Sequence, residues 1–270
     1  MDTKSLPIGV FDSGVGGITV VKEIFKNLPN EKIIYFGDTA RVPYGNKSPE
    51  TVIRYSKQIA QFLVSQGVKA IVIACNTASA LALDAVREVV SVPVIGVVLP
   101  GAEAAANATK NGNIGIIGTN ATIKSGLYEK SISETLPTAK TFGQACPLFC
   151  NLVEEKMIDD EVTIMMIHRY MDDLVKNNKI DTLVLGCTHY PILESVIKRE
   201  VGEGITLVNP AYETAKALEK LLSSQNLLNT EILSDNSHTF YVSDDAEHFR
   251  TFASDILELE TINTNLAVLS

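Results

Sequence analysis

Two cysteines carry the strongest chemical signal in the sequence. Cys75 lies in ACNTAS and Cys187 in GCTHYP. Each follows a short apolar run and precedes a polar pair, Asn76-Thr77 in one case and Thr188-His189 in the other. A thiol acts as a base only as its thiolate, and a free cysteine ionises near pH 8.5. A helix N-terminus behind the sulfur would favour the thiolate, and the same N–H groups would bind a carboxylate. Two such thiols on opposite sides of one ligand suit a specific reaction. One removes a proton from a carbon and the other returns a proton to the opposite face, which inverts the centre. Either cysteine alone reads more simply as a buried packing residue. Their equivalent places in a repeated plan argue for paired use.

Four landmarks recur in order, between 106 and 112 residues downstream. IGVFDSG at 8–14 resembles IGIIGTN at 114–120, and Phe36-Gly37-Asp38 recurs as Phe142-Gly143-Gln144. IVIACNTAS at 71–79 resembles LVLGCTHYP at 183–191, and Pro100-Gly101-Ala102-Glu103 recurs as Pro210-Ala211-Tyr212-Glu213. Such a repeat predicts two similar lobes. Apolar β-branched runs at 8–11, 32–36, 70–74, 92–97, 114–117, 182–185 and 205–208 read as buried parallel strands. Helical patterns separate them. The clearest is 51–66, with Ser48 as N-cap, Pro49 at the first helical position, Glu50 in the first turn and Gly67 as a stop. The expected fold is α/β, two similar lobes, each a mostly parallel sheet flanked by helices, with the site between them. Ligands in such sheets bind beyond the carboxyl ends of the strands, where both cysteines fall.

Composition narrows the classes. The chain has 270 residues, 46% of them hydrophobic, which excludes a disordered chain. A net charge of −9 disfavours nucleic acid as a partner. No apolar stretch reaches the roughly 20 residues needed to span a bilayer. The start, MDTKSLPIGV, lacks a signal-peptide core, and four cysteines make no disulfide scaffold, so the expected setting is cytoplasmic with reduced thiols.

Weaker candidates surround the cysteines. Asp12-Ser13-Gly14-Val15-Gly16-Gly17 follows the first strand, but an aspartate there would repel phosphate, so Asp12 is better suited to orient a base or meet an ammonium group. Thr119 and Thr122 occupy the equivalent loop of the second repeat, where they serve as caps or hold a carboxylate. Pro43-Tyr44-Gly45 reads as a turn. His189 could shuttle a proton, and Glu154 alone reads as a surface carboxylate. Cys146 and Cys150 have CxxxC spacing, yet no second ligand pair in the sequence completes a zinc site. His168, His238 and His248 look isolated.

Taken together, FDSGVGG at 11–17, GDTARVPYG at 37–45, ACNTAS, GCTHYP and the tail HTFYVSDDAEHF at 238–249 resemble the glutamate racemases of the cofactor-independent aspartate/glutamate racemase superfamily. Aspartate racemases are similar around the cysteines, but they typically carry His after CNTA and Glu after GCT, where this chain has Ser79 and His189, and they lack the DSGVGG opening. The resemblance implies that Cys75 acts on D-glutamate and Cys187 on L-glutamate. It implies that Asp12 assists the first thiol, and Glu154 and His189 the second. It assigns substrate contacts to Asp12, Ser13, Tyr44, Gly45, Asn76, Thr77, Thr119, Thr122, Thr188 and His189. It also implies no pyridoxal phosphate and no metal, a homodimer, and D-glutamate supply for peptidoglycan in a bacterial cytoplasm. The lobes would comprise 1–98 with 210–270, and 99–209. Cys150, in CPLFCNLVEE, departs from the pattern. A solute-binding protein for an acidic ligand or a thiol redox protein remain open. The first gives no reason for paired thiols, and the second lacks a CxxC pair.

Overall fold

The computed structural model describes residues 3–232 and 238–269. Among the described residues, ten strands form two parallel sheets. Strands β1 (Ile8–Asp12), β2 (Ile33–Gly37), β3 (Ala70–Ile73), β4 (Val94–Gly96), β9 (Thr239–Val242) and β10 (Thr264–Leu266) build the first, in the order β10-β9-β2-β1-β3-β4. Strands β5 (Asn113–Gly118), β6 (Lys140–Ala145), β7 (Thr182–Gly186) and β8 (Thr206–Val208) build the second, in the order β6-β5-β7-β8. The core order β2-β1-β3-β4 is therefore repeated as β6-β5-β7-β8, as the sequence landmarks anticipate. Central strands β1, β3 and β7 are buried along their whole length because helices cover both faces.

Local signals set the elements. Ser48 caps the Pro49–Ser65 helix by accepting the Thr51 N–H at 3.4 Å, and Gly67 beyond its end adopts φ +77°. This helix buries Val52, Ile59 and Leu63 in a core that includes Phe11 and Phe36. On the other sheet face, the Ile18–Asn27 helix packs on the Pro210–Ser224 helix. The expected strand at 92–97 is shorter, because Val97 already caps the Val98–Ala108 helix. Edge strands β6 and β10 lack the apolar run that marks the others; β6 is only half-buried. Two landmarks meet in space: the backbone at Gly101 lies against Pro210, and a Cβ there would sit 3.0 Å from its ring. Among the described residues no helix is long and apolar enough to cross a membrane.

Candidate active site

Cys75 follows β3 and caps the Asn76–Arg87 helix. Its sulfur accepts the Ala78 N–H at 3.4 Å, and its thiol donates to Ser13 Oγ at 3.6 Å. Asp12 ends β1, fully buried. One carboxylate oxygen accepts the Gly14 N–H at 2.9 Å, and the other accepts the hydroxyl of Thr188, from the loop after β7, at 3.5 Å. Burial and then the Asp12 charge push the Cys75 thiol up to about 12, against the pull of the Ala78 N–H and Ser13. The helix dipole is thus outweighed, and the expected lowering of this thiol is not found.

The second thiol is built differently. Cys187 follows β7, but the next element is a short 3-10 turn, Tyr190–Leu193, rather than an α-helix. The expected helix N-terminus behind Cys187 is therefore missing. In its place stands a relay: Cys187 Sγ lies 3.8 Å from His189 Nδ1, and His189 Nε2 donates to Glu154 at 2.7 Å. Burial disfavours the imidazolium, but the Cys187 and Glu154 partners outweigh it and push His189 up to about 10. For Glu154, burial is overcome by the His189 hydrogen bond and charge, which hold its carboxyl below the usual value. Cys187 itself is raised, first by its hydrogen bond to the Cys150 thiol 3.5 Å away and then by burial, while His189 pulls it down.

A pH prediction follows from the raised imidazole. Its contribution to stability is complete below the unfolded value of about 6.5 and is lost as pH rises through about 10. The Tm gap between wild type and His189→Asn should accordingly narrow from pH 7 to pH 10. A constant gap over that range would show that the ion pair adds nothing.

Both thiols open onto one cavity of about 380 Å³ between the two sheets. Ser13, Tyr44, Gly45, Asn76 and Thr77 line it from the first sheet's side, and Thr119, Glu154, Thr188 and His189 from the second's. No Lys or Arg lines it among the described residues. Asp12 and Thr122 lie behind its wall, each at most 1% exposed. Thr77, Thr119 and Thr122 form a hydroxyl triangle across the lobes, with edges of 2.9, 3.1 and 3.0 Å. His168, His238 and His248 lie outside the cavity lining.

Two glycines permit the lobes to approach. A Cβ at Gly16 would fall 2.6 Å from the His189 ring, and one at Gly45 would fall 2.7 Å from Thr119 Cβ. Gly16→Ala should displace the His189 ring. A shift on the 1 Å scale costs about 10²-fold in turnover. The expected result is such a loss in kcat with far-UV circular dichroism unchanged. Unaltered kcat would mean that the loop yields without moving the histidine.

One contributor, Tyr128, gave no sequence signal. Tyr128 donates to the Asn76 side-chain oxygen at 2.7 Å, fixing that amide from the second lobe. Tyr44 donates to Asp38, which also accepts Arg41 Nε at 2.8 Å and the Ser243 hydroxyl at 2.9 Å. These contacts tie the 43–46 loop to the C-terminal segment and turn what reads as an ordinary turn into a cavity wall.

The model for Asp/Glu/hydantoin racemases matches residues 8–218, spanning both cysteine loops. The chain belongs to this family. Among family members, the glutamate racemase of Geobacter metallireducens is 52% identical over 88% of this chain and 87% of its own length. The crystal structure of glutamate racemase isoform RacE1 from Bacillus anthracis superposes with a TM-score of 0.93 at 42% identity, covering 98% of each chain. Glutamate racemase from Francisella tularensis, solved in complex with D-glutamate, gives a TM-score of 0.91 at 38% identity over 99% of each chain. An aspartate racemase from Picrophilus torridus, at 21% identity and a TM-score of 0.57, shares the fold alone.

Proposed function

We propose that the protein interconverts L- and D-glutamate without a cofactor, using Cys75 and Cys187 as the two bases, and that it supplies D-glutamate for peptidoglycan in a bacterial cytoplasm. The observation that carries this reading is the placement of both thiols on one cavity, each from the equivalent loop of a repeated sheet.

In the L to D direction, Cys187 as thiolate takes the α-proton and Cys75 as thiol gives its proton to the opposite face. The reverse reaction exchanges these roles. In the ligand-free protein Cys75 is held protonated first by burial, and Cys187 first by its hydrogen bond to Cys150 and then by burial. The ammonium group of the substrate adds positive charge beside the thiols, and so favours a thiolate when substrate is present. Thr77, Thr119 and Thr188 offer hydroxyls to the carboxylates. Asp12 steadies the first thiol's side through the Gly14 and Thr188 contacts, and the His189–Glu154 pair serves the second. The lobes, 1–98 with 210–270 and 99–209, close over the substrate.

The test is incubation of the purified protein with either glutamate enantiomer in D₂O containing EDTA and no pyridoxal phosphate. Circular dichroism should decay to zero while the α-proton signal is lost. Retention of the α-hydrogen, or a requirement for added metal, would overturn the proposal. Glutamate should also be preferred over aspartate. One methylene gives about 10–200-fold in kcat/KM, and misplacing the reacting carbon between the thiols adds to it.

A further inference from the structure

Cys150 has no part in the proton transfers above, yet its sulfur lies 3.5 Å from that of Cys187. Together with His189 Nδ1, the two sulfurs form a group whose atoms all fall within 4.8 Å of one another. A tetrahedral zinc ion holds sulfur at about 2.3 Å and imidazole nitrogen at about 2.0–2.1 Å, which spaces its ligands by roughly 3.6–3.8 Å. The observed Cys150–Cys187 sulfur separation of 3.5 Å and Cys187–His189 sulfur–nitrogen separation of 3.8 Å lie within about 0.3 Å of those edges, so small side-chain rotations bring the group to an ion. The other histidine nitrogen is bound to Glu154 at 2.7 Å, the carboxylate–histidine arrangement that orients a metal-ligating imidazole. The group borders the cavity, which leaves a fourth position open to water or a carboxylate.

We propose that Cys150, Cys187 and His189 form a binding site for a thiophilic divalent cation of the zinc type, and that its occupancy switches off the enzyme by capturing the sulfur of Cys187. The ion is an inhibitor and takes no part in racemisation. Its binding exchanges one M²⁺ for three protons, those of the Cys150 thiol, the Cys187 thiol and the His189 imidazolium, whose other nitrogen keeps its proton toward Glu154. The CxxxC spacing of Cys146 and Cys150 suggests a different pairing. Cys146 is buried elsewhere, with its thiol directed to the Gln144 carbonyl, and the partners of Cys150 come from the loop after β7.

The test uses the full chain kept reduced with a phosphine. Co²⁺ titration of wild type should produce thiolate-to-metal charge-transfer absorption and the visible bands of a tetrahedral ion at one equivalent. Zn²⁺ should abolish racemisation, and EDTA should restore it. Cys150→Ala and Cys150→Ser should lose the Co²⁺ bands and, measured against each variant's own metal-free turnover, shift the inhibitory Zn²⁺ concentration upward by more than about 100-fold, beyond the 10–100-fold typical of losing an outer partner. Cys146→Ala should behave as wild type. Equal Zn²⁺ sensitivity in wild type and both Cys150 variants would overturn the proposal. So would inactivation that a dithiol reverses and EDTA does not, since that identifies a disulfide.

Discussion

Cys75→Ala and Cys187→Ala should each abolish racemisation in both directions while leaving the fold intact. Every turnover uses both sulfurs, one to accept the α-proton and one to donate to the other face. Neither can stand in for its partner, because they enter the cavity from opposite sheets. A single positioned acid or base contributes about 10²–10⁴-fold, and here the missing group also interrupts the reaction sequence, so the loss should reach or exceed the top of that range. Both side chains are at most 6% exposed, so each truncation leaves only a small gap, and far-UV circular dichroism checks that the protein still folds. The readout is the optical decay of L- and D-glutamate, followed separately. Turnover within tenfold of wild type in either variant would remove the two-base mechanism. Cys146→Ala should retain most activity, because its thiol points to a backbone carbonyl.

His189→Asn should slow racemisation by about 10²–10⁴-fold, the range for an acid–base group. The imidazole lies between the Cys187 sulfur and the Glu154 carboxylate. Its loss weakens the second thiol as a base and strands a half-buried carboxylate. The Cys75 side has no histidine and relies on Ser13 and the Ala78 N–H, with Asp12 nearby. The damage therefore concentrates on the step in which Cys187 takes or gives its proton. With α-deuterated substrate, the isotope effect should rise more from L-glutamate than from D-glutamate, since only from the L side does Cys187 break the labelled bond. Unchanged kinetics from both enantiomers would make the histidine structural.

Legibility from the sequence follows the physics of burial. Strands β1, β3, β5 and β7 announce themselves because helices on both faces demand unbroken apolar runs, and the cysteines sit where such strands end. Strand β6 does not, because as a half-buried edge it carries Lys140, Thr141 and Gln144. Its only trace is the recurrence of Phe-Gly at 142–143. Of the site, Cys75 and Cys187 stand out through repetition. Asp12 and Thr122 are legible as loop residues, but not as residues set behind the cavity wall. Glu154 reads as a surface carboxylate because nothing in one dimension shows that the 148–154 helix faces the loop after β7. The state of the thiols is misread for a related reason. A dipole can be placed from a helix start, whereas burial depends on what the other lobe brings. Cys150 shows the same limit, since its partners lie 37 and 39 residues away in sequence.

The repeated strand order β2-β1-β3-β4 and β6-β5-β7-β8 has a kinetic corollary. The two enantiomers of glutamate have identical free energies in water, so the equilibrium constant between them is one, and detailed balance makes kcat/KM the same for both. The scaffold nearly mirrors itself, but its helpers do not, with an aspartate and a helix cap on one half and a histidine–glutamate pair on the other. That inequality can never bias the final mixture. It can appear only as a matched skew in kcat and KM, so the enantiomer processed faster at saturation must also be the one with the higher KM, by the same factor.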